Sequence, residues 1–425
     1  MEFTPPRGMR DIDPEEFILQ EKIRSTFLEV SKLFGFKLME PSPMESLRAL
    51  EAKSGPGIKN EIYHFKDKGN RDLGLRFDLT IGMTRYVSSR RDLQLPAKLG
   101  AFSGMWRYDE PQFGRYRWLH QWDIEIFGVT NIEADAEVID FTSTLMKKIG
   151  LGGITIEIGN RKIIEEYVRS NLKIVNDSTV FEMLRAIDKV SKKTVSEILE
   201  EYERKGIKRT DLEGLMKFIK TQGTSEKTIE RLKEAGLGQV EHLERLVDSL
   251  KSRNVDNIIL NMGIVRGLDY YTGVVFEVVH EDKKLGALAG GGRYDTLPSV
   301  FGRPDLGATG AAGGIERMGL AMSGKRNYEP PNVNIYVACT KNLEREASEI
   351  TSILRSNNIP CESEVSGRSL RKQMEIASLR SYLFVIIVAP REIATGKIIL
   401  RNMEEGIEKT IELSQLVSEM QPFSK

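Results

Sequence analysis

Strand-like patterning breaks off at residue 159 and returns at 256, and this interruption constrains the fold more than any other feature. The stretch between, 160–255, is Lys- and Glu-rich, poor in aromatics and helical in its period, with a small basic excess. Before it the pattern predicts a helix at 14–35, then a short strand stopped by Pro41 and Pro43. Paired strands at 61–66 and 73–78, a helix near 80–91 and a second strand pair at 98–107 and 117–127 follow. A helix at 132–149 and a strand at 153–159 complete that half. After it, strand character resumes at 256–265, 273–280 and 285–290, and a helix ends at Gly324. A sheet that stops and restarts around a helical block carries that block as an insertion.

The chain has 425 residues, more than one ordinary core holds, so two or three domains are expected. "KRNYEPPNV", 325–333, reads as a linker, because Pro330 and Pro331 block a helix. Beyond it the prediction is strand 333–339, helix 343–357, strand 359–364, helix 368–379 and strand 382–389. A hairpin around 391–401 and a helix near 414–420 close the chain. Strands alternating with helices predict a small α/β domain on a mostly parallel sheet.

Lys+Arg and Asp+Glu both total 62, so global charge offers no support for a nucleic-acid partner, although a local patch would suffice. No DNA partner is expected. Cys339 and Cys361 are the only cysteines and lack metal-ligand spacing, which argues against a disulfide framework or zinc site. The opening "MEFTPPRGMRDIDPEEF" lacks the apolar segment of a signal peptide, and no run approaches the ~18 apolar residues of a bilayer span. A cytoplasmic protein without a membrane partner is expected.

Four stretches carry chemistry. In "FSGMWRYDEPQFGRYRWLHQWDIEIFG", 102–128, Arg107, Arg115 and Arg117 lie close together on a predicted strand–loop–strand. Period two puts Arg117, Leu119, Gln121, Asp123 and Glu125 on one face, with Gln121 and Glu125 roughly 13 Å apart. An exposed hairpin with alternating polar residues would give the same pattern. "VRGLDYYTGVVFEV", 265–278, sets Arg266, Asp269, Tyr270 and Tyr271 inside an apparent strand, with Gly267 and Gly273 allowing close backbone approach. A fixed guanidinium beside phenols suits a small anion with a polar, planar end. "GALAGGGRYDTL", 286–297, reads as a Gly-rich turn, either a phosphate cradle or a tight bend. "GATGAAGGIERMGL", 307–320, reads as small residues leading into a helix that carries Glu316 and Arg317. Close packing and nucleotide contact both remain open there.

Together these stretches resemble a class II aminoacyl-tRNA synthetase, specifically the histidyl-tRNA synthetase family. Residues 102–128 resemble its second class motif, 307–320 its third and 20–43 its first; "VRGLDYYTG" and "GGGRYD" resemble the two histidine motifs. The resemblance spans nearly the whole chain. It implies an α+β catalytic domain on a mostly antiparallel sheet over 1–324, with the helical insertion at 160–255. It also implies a linker at 325–332 and an α/β anticodon-binding-like domain at 333–425.

The implied reaction joins L-histidine and ATP into histidyl-adenylate and pyrophosphate, then transfers histidine to the 3′ end of tRNA(His). The attacking carboxylate is already anionic, so charge neutralisation and alignment matter more than a nucleophilic side chain. By resemblance Arg107 and Arg266 are the catalytic pair at the α-phosphate, Arg115 lies nearer the terminal phosphates and Arg317 packs by the adenine. Mg²⁺ is implied with ATP. Glu125 and Tyr271 would meet the two imidazole nitrogens. Tyr270, Tyr116 and Gln121 would frame the ring and α-amino group. Asp78 and Thr80 occupy the family's acidic and threonine positions, although Asp-Leu-Thr stands where many members carry Glu and a small residue. A homodimer is implied. Lys192, Lys193, Arg204, Lys205, Lys208 and Arg209 are candidates for the acceptor arm or a solvated face; Arg368, Arg371, Lys372 and Arg380 are candidates for phosphate contacts. The alternatives are a catalytically inactive, synthetase-like regulatory subunit of histidine biosynthesis and a class II synthetase for another amino acid.

Overall fold

The structure, a computed structural model, describes residues 3–54, 56–110, 116–190, 193–264, 271–323 and 333–423. Its chain forms two compact units, Met1–Tyr328 and Glu329–Lys425.

The first unit begins with α1 (Pro14–Leu33). Asp13 caps it by accepting from the Glu16 amide at 2.8 Å, and Pro14 sits in the first turn, where no amide partner is needed. Next come β1 (Lys37–Leu38), β2 (Met44–Ser46), α2 (Leu47–Ser54), β3 (His64–Lys66), β4 (Asp72–Leu75) and α3 (Thr80–Ser89). β5 (Ala97–Trp106) and β6 (Trp118–Phe127) form the longest pair, followed by α4 (Ile132–Lys148) and β7 (Ile154–Asn160). A helical run then spans α5 (Arg161–Glu166), α6 (Asp177–Asp188), α7 (Val195–Arg204) and α8 (Arg209–Phe218). After the short β8 (Gln222–Gly223) it continues through α9 (Ser225–Glu234) and α10 (Val240–Ser252). β9 (Ile258–Asn261), β10 (Val274–His280), β11 (Ala287–Arg293), α11 (Leu297–Val300), β12 (Ala308–Gly314) and α12 (Ile315–Ser323) finish the unit.

Among the described residues, nine strands make one sheet in the order β1-β5-β6-β12-β11-β10-β7-β9-β8, and β2-β4-β3 make a small second one. Among the described residues only β1–β5 and β7–β9 pair in parallel there, so the large sheet is mostly antiparallel. Parallel neighbours need a crossover rather than a hairpin, and the helical run is the crossover between β7 and β9.

Trp122, Ile124 and Ile126 of β6, Ile158 of β7 and Phe276 of β10 bury one face of the sheet with α1 and α4. Phe27 of α1 lies 6.2 Å from Trp122 and 6.0 Å from Phe141 of α4, ring to ring. Each such buried side chain contributes roughly 1.5–3 kcal/mol. The opposite face carries the polar residues of β6 and is floored largely by glycine and alanine.

Two readings of the glycine-rich stretches are corrected here. Gly290, Gly291 and Gly292 are not a turn but the centre of β11, and 308–314 is a strand before it becomes a helix. Both strands are hydrogen-bonded on both sides, and at Gly291, Gly292, Gly310 and Gly313 neighbouring backbone or side-chain atoms occupy the space that a side chain would need. A Cβ on Gly313 would lie 2.4 Å from the Trp122 indole nitrogen, and one on Gly291 2.1 Å from the Gly310 carbonyl oxygen.

The second unit contains β13 (Ile335–Cys339), α13 (Glu344–Ser356), β14 (Glu362–Ser363), α14 (Leu370–Leu379), β15 (Phe384–Val388), α15 (Pro390–Ile393), β16 (Lys397–Asn402), β17 (Glu408–Glu412) and α16 (Leu416–Met420). Its sheet runs β14-β13-β15-β16-β17. Helices cover both faces of β13: Ile335 and Val337 share a core with Ile350 and Leu354, and Tyr336 and Ala338 share one with Ala377. The sheet is mixed rather than mostly parallel, since β15–β16 and β16–β17 are antiparallel. The hairpin joins β16 to β17 instead of lying at 391–401. Asn402 accepts from the Glu404 and Glu405 amides there, and Gly406 takes φ +70°.

Candidate active site

Directly paired residues on neighbouring strands point to the same side of a sheet, so register assembles the polar face row by row. One row reads Leu99, Glu125, Gly310, Gly292, Val275 and Gly159 across β5, β6, β12, β11, β10 and β7. The next reads Ala101, Asp123, Ala312, Gly290, Glu277 and Glu157. Gln121 lies one row further, between Ser103 and Gly314. Period-two reading of β6 therefore places Gln121, Asp123 and Glu125 together on a glycine-floored surface.

Glu125 is 2 % exposed, and its carboxylate lies over Gly310, where a Cβ would come within 1.5 Å of Oε2. The Tyr294 hydroxyl donates to the same oxygen. Tyr294 is itself buried, packed edge-on against Phe127 at 6.5 Å. Tyr271 flanks the same row from the other side, with Cδ1 at 3.1 Å from the Cβ position of Gly292. The Arg161 guanidinium holds the Tyr271 backbone by donating to its carbonyl at 2.8 Å.

Asp78 and Thr80 stand at the start of α3. Asp78 Oδ1 accepts from the Ile81 amide at 3.1 Å, a helix-capping bond. Thr80 Oγ1 donates to Asp123 Oδ2 at 3.2 Å. Arg107 follows β5 on the polar side by alternation with Ser103 and Met105, and its Nε donates to the Phe77 carbonyl at 3.0 Å, next to Asp78. Arg317 is in the first turn of α12, which starts one residue after Gly314, the partner of Gln121. Its guanidinium donates to the Ala287 carbonyl at 3.1 Å. Glu316 ties the same turn to β6, accepting from the His120 amide at 2.9 Å.

Tyr116 is not joined to this group by any described contact. Its ring lies 3.9 Å from the guanidinium of Arg10, whose pKa is raised chiefly by its hydrogen bonds to Glu16. Arg115, Arg266 and Tyr270 lie outside the described residues, as do Lys192 and most of the linker. Arg293, next to the glycine run, has a structural place: it pairs with Asp135 at 2.9 Å and donates to the Val129 and Asn131 carbonyls at 3.0 Å. Burial pushes the Asp135 carboxyl up despite that partner. Sequence reading missed the contacts of Tyr294 and Asp123 with Glu125 and Thr80, because they join residues far apart in the chain.

Among the described residues no group of three His, Cys, Asp or Glu side chains converges as a ready metal site. The basic residues of the insertion are largely committed to neighbours. Lys193 pairs with Glu201 at 2.8 Å, Lys205 with Glu182 at 2.6 Å and Arg209 with Glu203 at 3.1 Å. Lys189 and Lys193 hold the Glu201 carboxyl at about 2. In the second unit Arg371 pairs with Glu375 at 3.2 Å and Arg380 with Glu362 at 3.1 Å. Among the described residues no helix is long and apolar enough to cross a membrane.

Comparison with known proteins settles the family. A family model described as histidyl-tRNA synthetase matches residues 8–318, and one described as an anticodon binding domain matches 332–422. The chain belongs to the histidyl-tRNA synthetase family. Curated histidine–tRNA ligases are similar along their full length: the one from Pyrococcus horikoshii is 32 % identical with 99 % of both chains covered. That from Archaeoglobus fulgidus is 33 % identical, over 99 % of this chain and all of the relative. A crystal structure of histidyl-tRNA synthetase from Nostoc shares the fold, with a TM-score of 0.82, 23 % identity and full coverage of both chains. So does a Bacillus halodurans structure titled ATP phosphoribosyltransferase regulatory subunit/histidyl-tRNA synthetase, at a TM-score of 0.77 and 23 % identity, covering 92 % of this chain and 99 % of its own. Among synthetases of this family, then, the present chain has both the catalytic-type sheet and the anticodon-type unit.

Proposed function

We propose that the glycine-floored face of the first unit is where this histidine–tRNA ligase activates its amino acid. The observation that carries the reading is the row in which Glu125 lies over Gly310 while Tyr271 flanks Gly292. An acid and a phenol on either side of a floor without side chains suit a flat ring that offers one N–H and one acceptor nitrogen. Glu125 accepts the N–H and Tyr271 serves the other nitrogen. Gln121 frames the α-amino end, with Thr80 above Asp123, and Tyr270 belongs to the same pocket by resemblance.

In the first step a histidine carboxylate oxygen bonds to the α-phosphorus of ATP while the bond to the β-phosphate oxygen breaks, releasing pyrophosphate. Arg107 and, by resemblance, Arg266 neutralise the α-phosphate and hold it in line. Arg115 contacts the terminal phosphates, and Arg317 packs at the adenine. Mg²⁺ bound by the phosphates would add further charge neutralisation. In the second step a terminal ribose hydroxyl of tRNA(His) attacks the activated carbonyl carbon and AMP leaves. We further propose a cytoplasmic homodimer with a catalytic part at 1–324 and an anticodon-binding part at 333–425.

Purified protein is expected to exchange labelled pyrophosphate into ATP only when histidine is present. Exchange with a different amino acid would overturn the pocket assignment, and no exchange at all would favour the regulatory-subunit alternative.

Tyr294→Phe keeps the buried ring and removes the hydroxyl that orients Glu125. It is expected to raise the Kd for histidine by about ten-fold or more, the usual consequence of losing a hydrogen bond to a charged group, and to leave ATP affinity unchanged. Calorimetric titration with each ligand checks this; equal weakening of both would count against an orienting role.

A further inference from the structure

Arg76 directly follows β4 and is 5 % exposed. All three nitrogens of its guanidinium are engaged by protein groups. Nε donates to the Gly104 carbonyl of β5 at 2.8 Å, and Nη1 donates to the Pro41 carbonyl and to Glu40 Oε1, each at 2.6 Å. Nη2 donates to the Ser103 hydroxyl, which in turn donates to Glu40 Oε1 at 2.7 Å. The backbone of residue 76 repeats this arrangement. Its amide donates to the Pro43 carbonyl at 3.1 Å, and its carbonyl accepts from the Trp106 amide at 3.0 Å. One residue thus stitches the turn at 40–43 to the end of β5.

The next residues along the chain reach the site. The Phe77 carbonyl accepts from Arg107 Nε at 3.0 Å, and Asp78 caps α3. Arg107 itself comes one residue after Trp106, so residue 76 bears on both ends of the Arg107–Phe77 bond: through its peptide link to Phe77 and through the Trp106 amide. The turn that serves as the fixed point is backed by α3, since a Cβ on Gly82 would lie 2.7 Å from the Pro41 Cβ. A lysine could not reproduce this: its ammonium is a point charge on a flexible stem, whereas the guanidinium is a rigid fork with donors aimed in several directions.

Resting on the reading of Arg107 as the group that holds the α-phosphate, we propose that Arg76 is a positioning residue for amino-acid activation. It fixes the Phe77 carbonyl against β5 and so sets the direction of the Arg107 fork, without itself touching either substrate. The rival role is purely structural, with Arg76 fastening the 40–43 turn to the sheet and adding stability alone.

A double-mutant cycle on the rate of adenylate formation separates the two roles. Arg76→Lys is expected to slow a single turnover by about ten-fold or more, with the KM for histidine within about three-fold, because a misaimed fork acts on the chemical step. In the Arg107→Ala background the same substitution is expected to cost less than about two-fold, since the group that it orients is gone. If Arg76→Lys fails to fold, Glu40→Ala enters the same cycle, its side chain being 60 % exposed. Removing that acceptor loosens Nη1 and the Ser103 relay together, and is expected to cost about three-fold beside the native Arg107 and nothing further beside Arg107→Ala. Arg107→Ala with a near wild-type rate overturns the reading of Arg107 and this inference with it. A slow Arg107→Ala, combined with equal fold-losses in both backgrounds, no loss in either, or a loss carried by KM, overturns the inference alone.

Discussion

Gly310→Ala is expected to reduce histidine-dependent pyrophosphate exchange by at least ~10²-fold, the scale of misplacing a recognition group by about an ångström. The added methyl carbon would lie 1.5 Å from Glu125 Oε2, 2.3 Å from its carboxyl carbon and 2.5 Å from the Ile124 carbonyl oxygen. The Glu125 side chain cannot keep its place against Tyr294 under that overlap, and the Ile124 carbonyl belongs to the β6 backbone, which is paired on both sides. Overpacking a buried site of this kind also costs about 1–3 kcal/mol of stability. The two effects separate in the double variant. Shortening the acid in Glu125→Ala/Gly310→Ala is expected to recover part of the lost thermal stability and none of the exchange activity. Near-normal exchange by Gly310→Ala would mean that the carboxylate position against Gly310 is irrelevant to catalysis.

The same glycine explains where sequence reading of this chain succeeded and where it stopped. β6 was legible because it alternates cleanly: Trp122, Ile124 and Ile126 face the helices, and Gln121, Asp123 and Glu125 face the site. The crossover was legible because period and composition change together at 160 and 256. β12, "ATGAAGG", was read as a lead-in to a helix, since it holds no β-branched core residue apart from Thr309 and no aromatic. Its strand state comes from β6 and β11 on either side, and its small residues answer to Glu125 and Trp122, which are remote in sequence. Tertiary pairing overrode local propensity there, and equally in the glycine run of β11. Tyr294 was noticed only as part of a motif, because its bond to Glu125 spans 169 positions. The hairpin at 391–401 was misplaced because Pro390 and Gly396 bracket a short helix, whereas the actual turn uses Asn402 and Gly406.

Arg107→Ala is the other change with a large expected effect, a loss of about 10²–10³-fold in the rate of adenylate formation, as for removal of a preorganised donor at a charged transition state. The side chain is anchored rather than loose: Nε donates to the Phe77 carbonyl at 3.0 Å, and Nη2 lies 3.8 Å from the Met105 sulfur. That anchorage presents a planar fork at the end of β5, beside Asp78 and on the side of Gln121. Negative charge on the α-phosphoryl oxygens is arranged differently in the transition state than in bound ATP, so a fixed guanidinium acts mainly on the rate and little on binding. Arg107→Ala should therefore lower kcat for exchange while the KM for histidine stays within about three-fold. Arg107→Lys retains the charge without the bidentate fork or the Phe77 bond, and is expected to fall between the two. Rapid-quench measurement of adenylate formation in a single turnover, with the fold checked by thermal unfolding, reads the step directly. A KM increase with unchanged kcat would assign Arg107 to ground-state binding, because an interaction made equally with substrate and transition state cannot accelerate the chemical step.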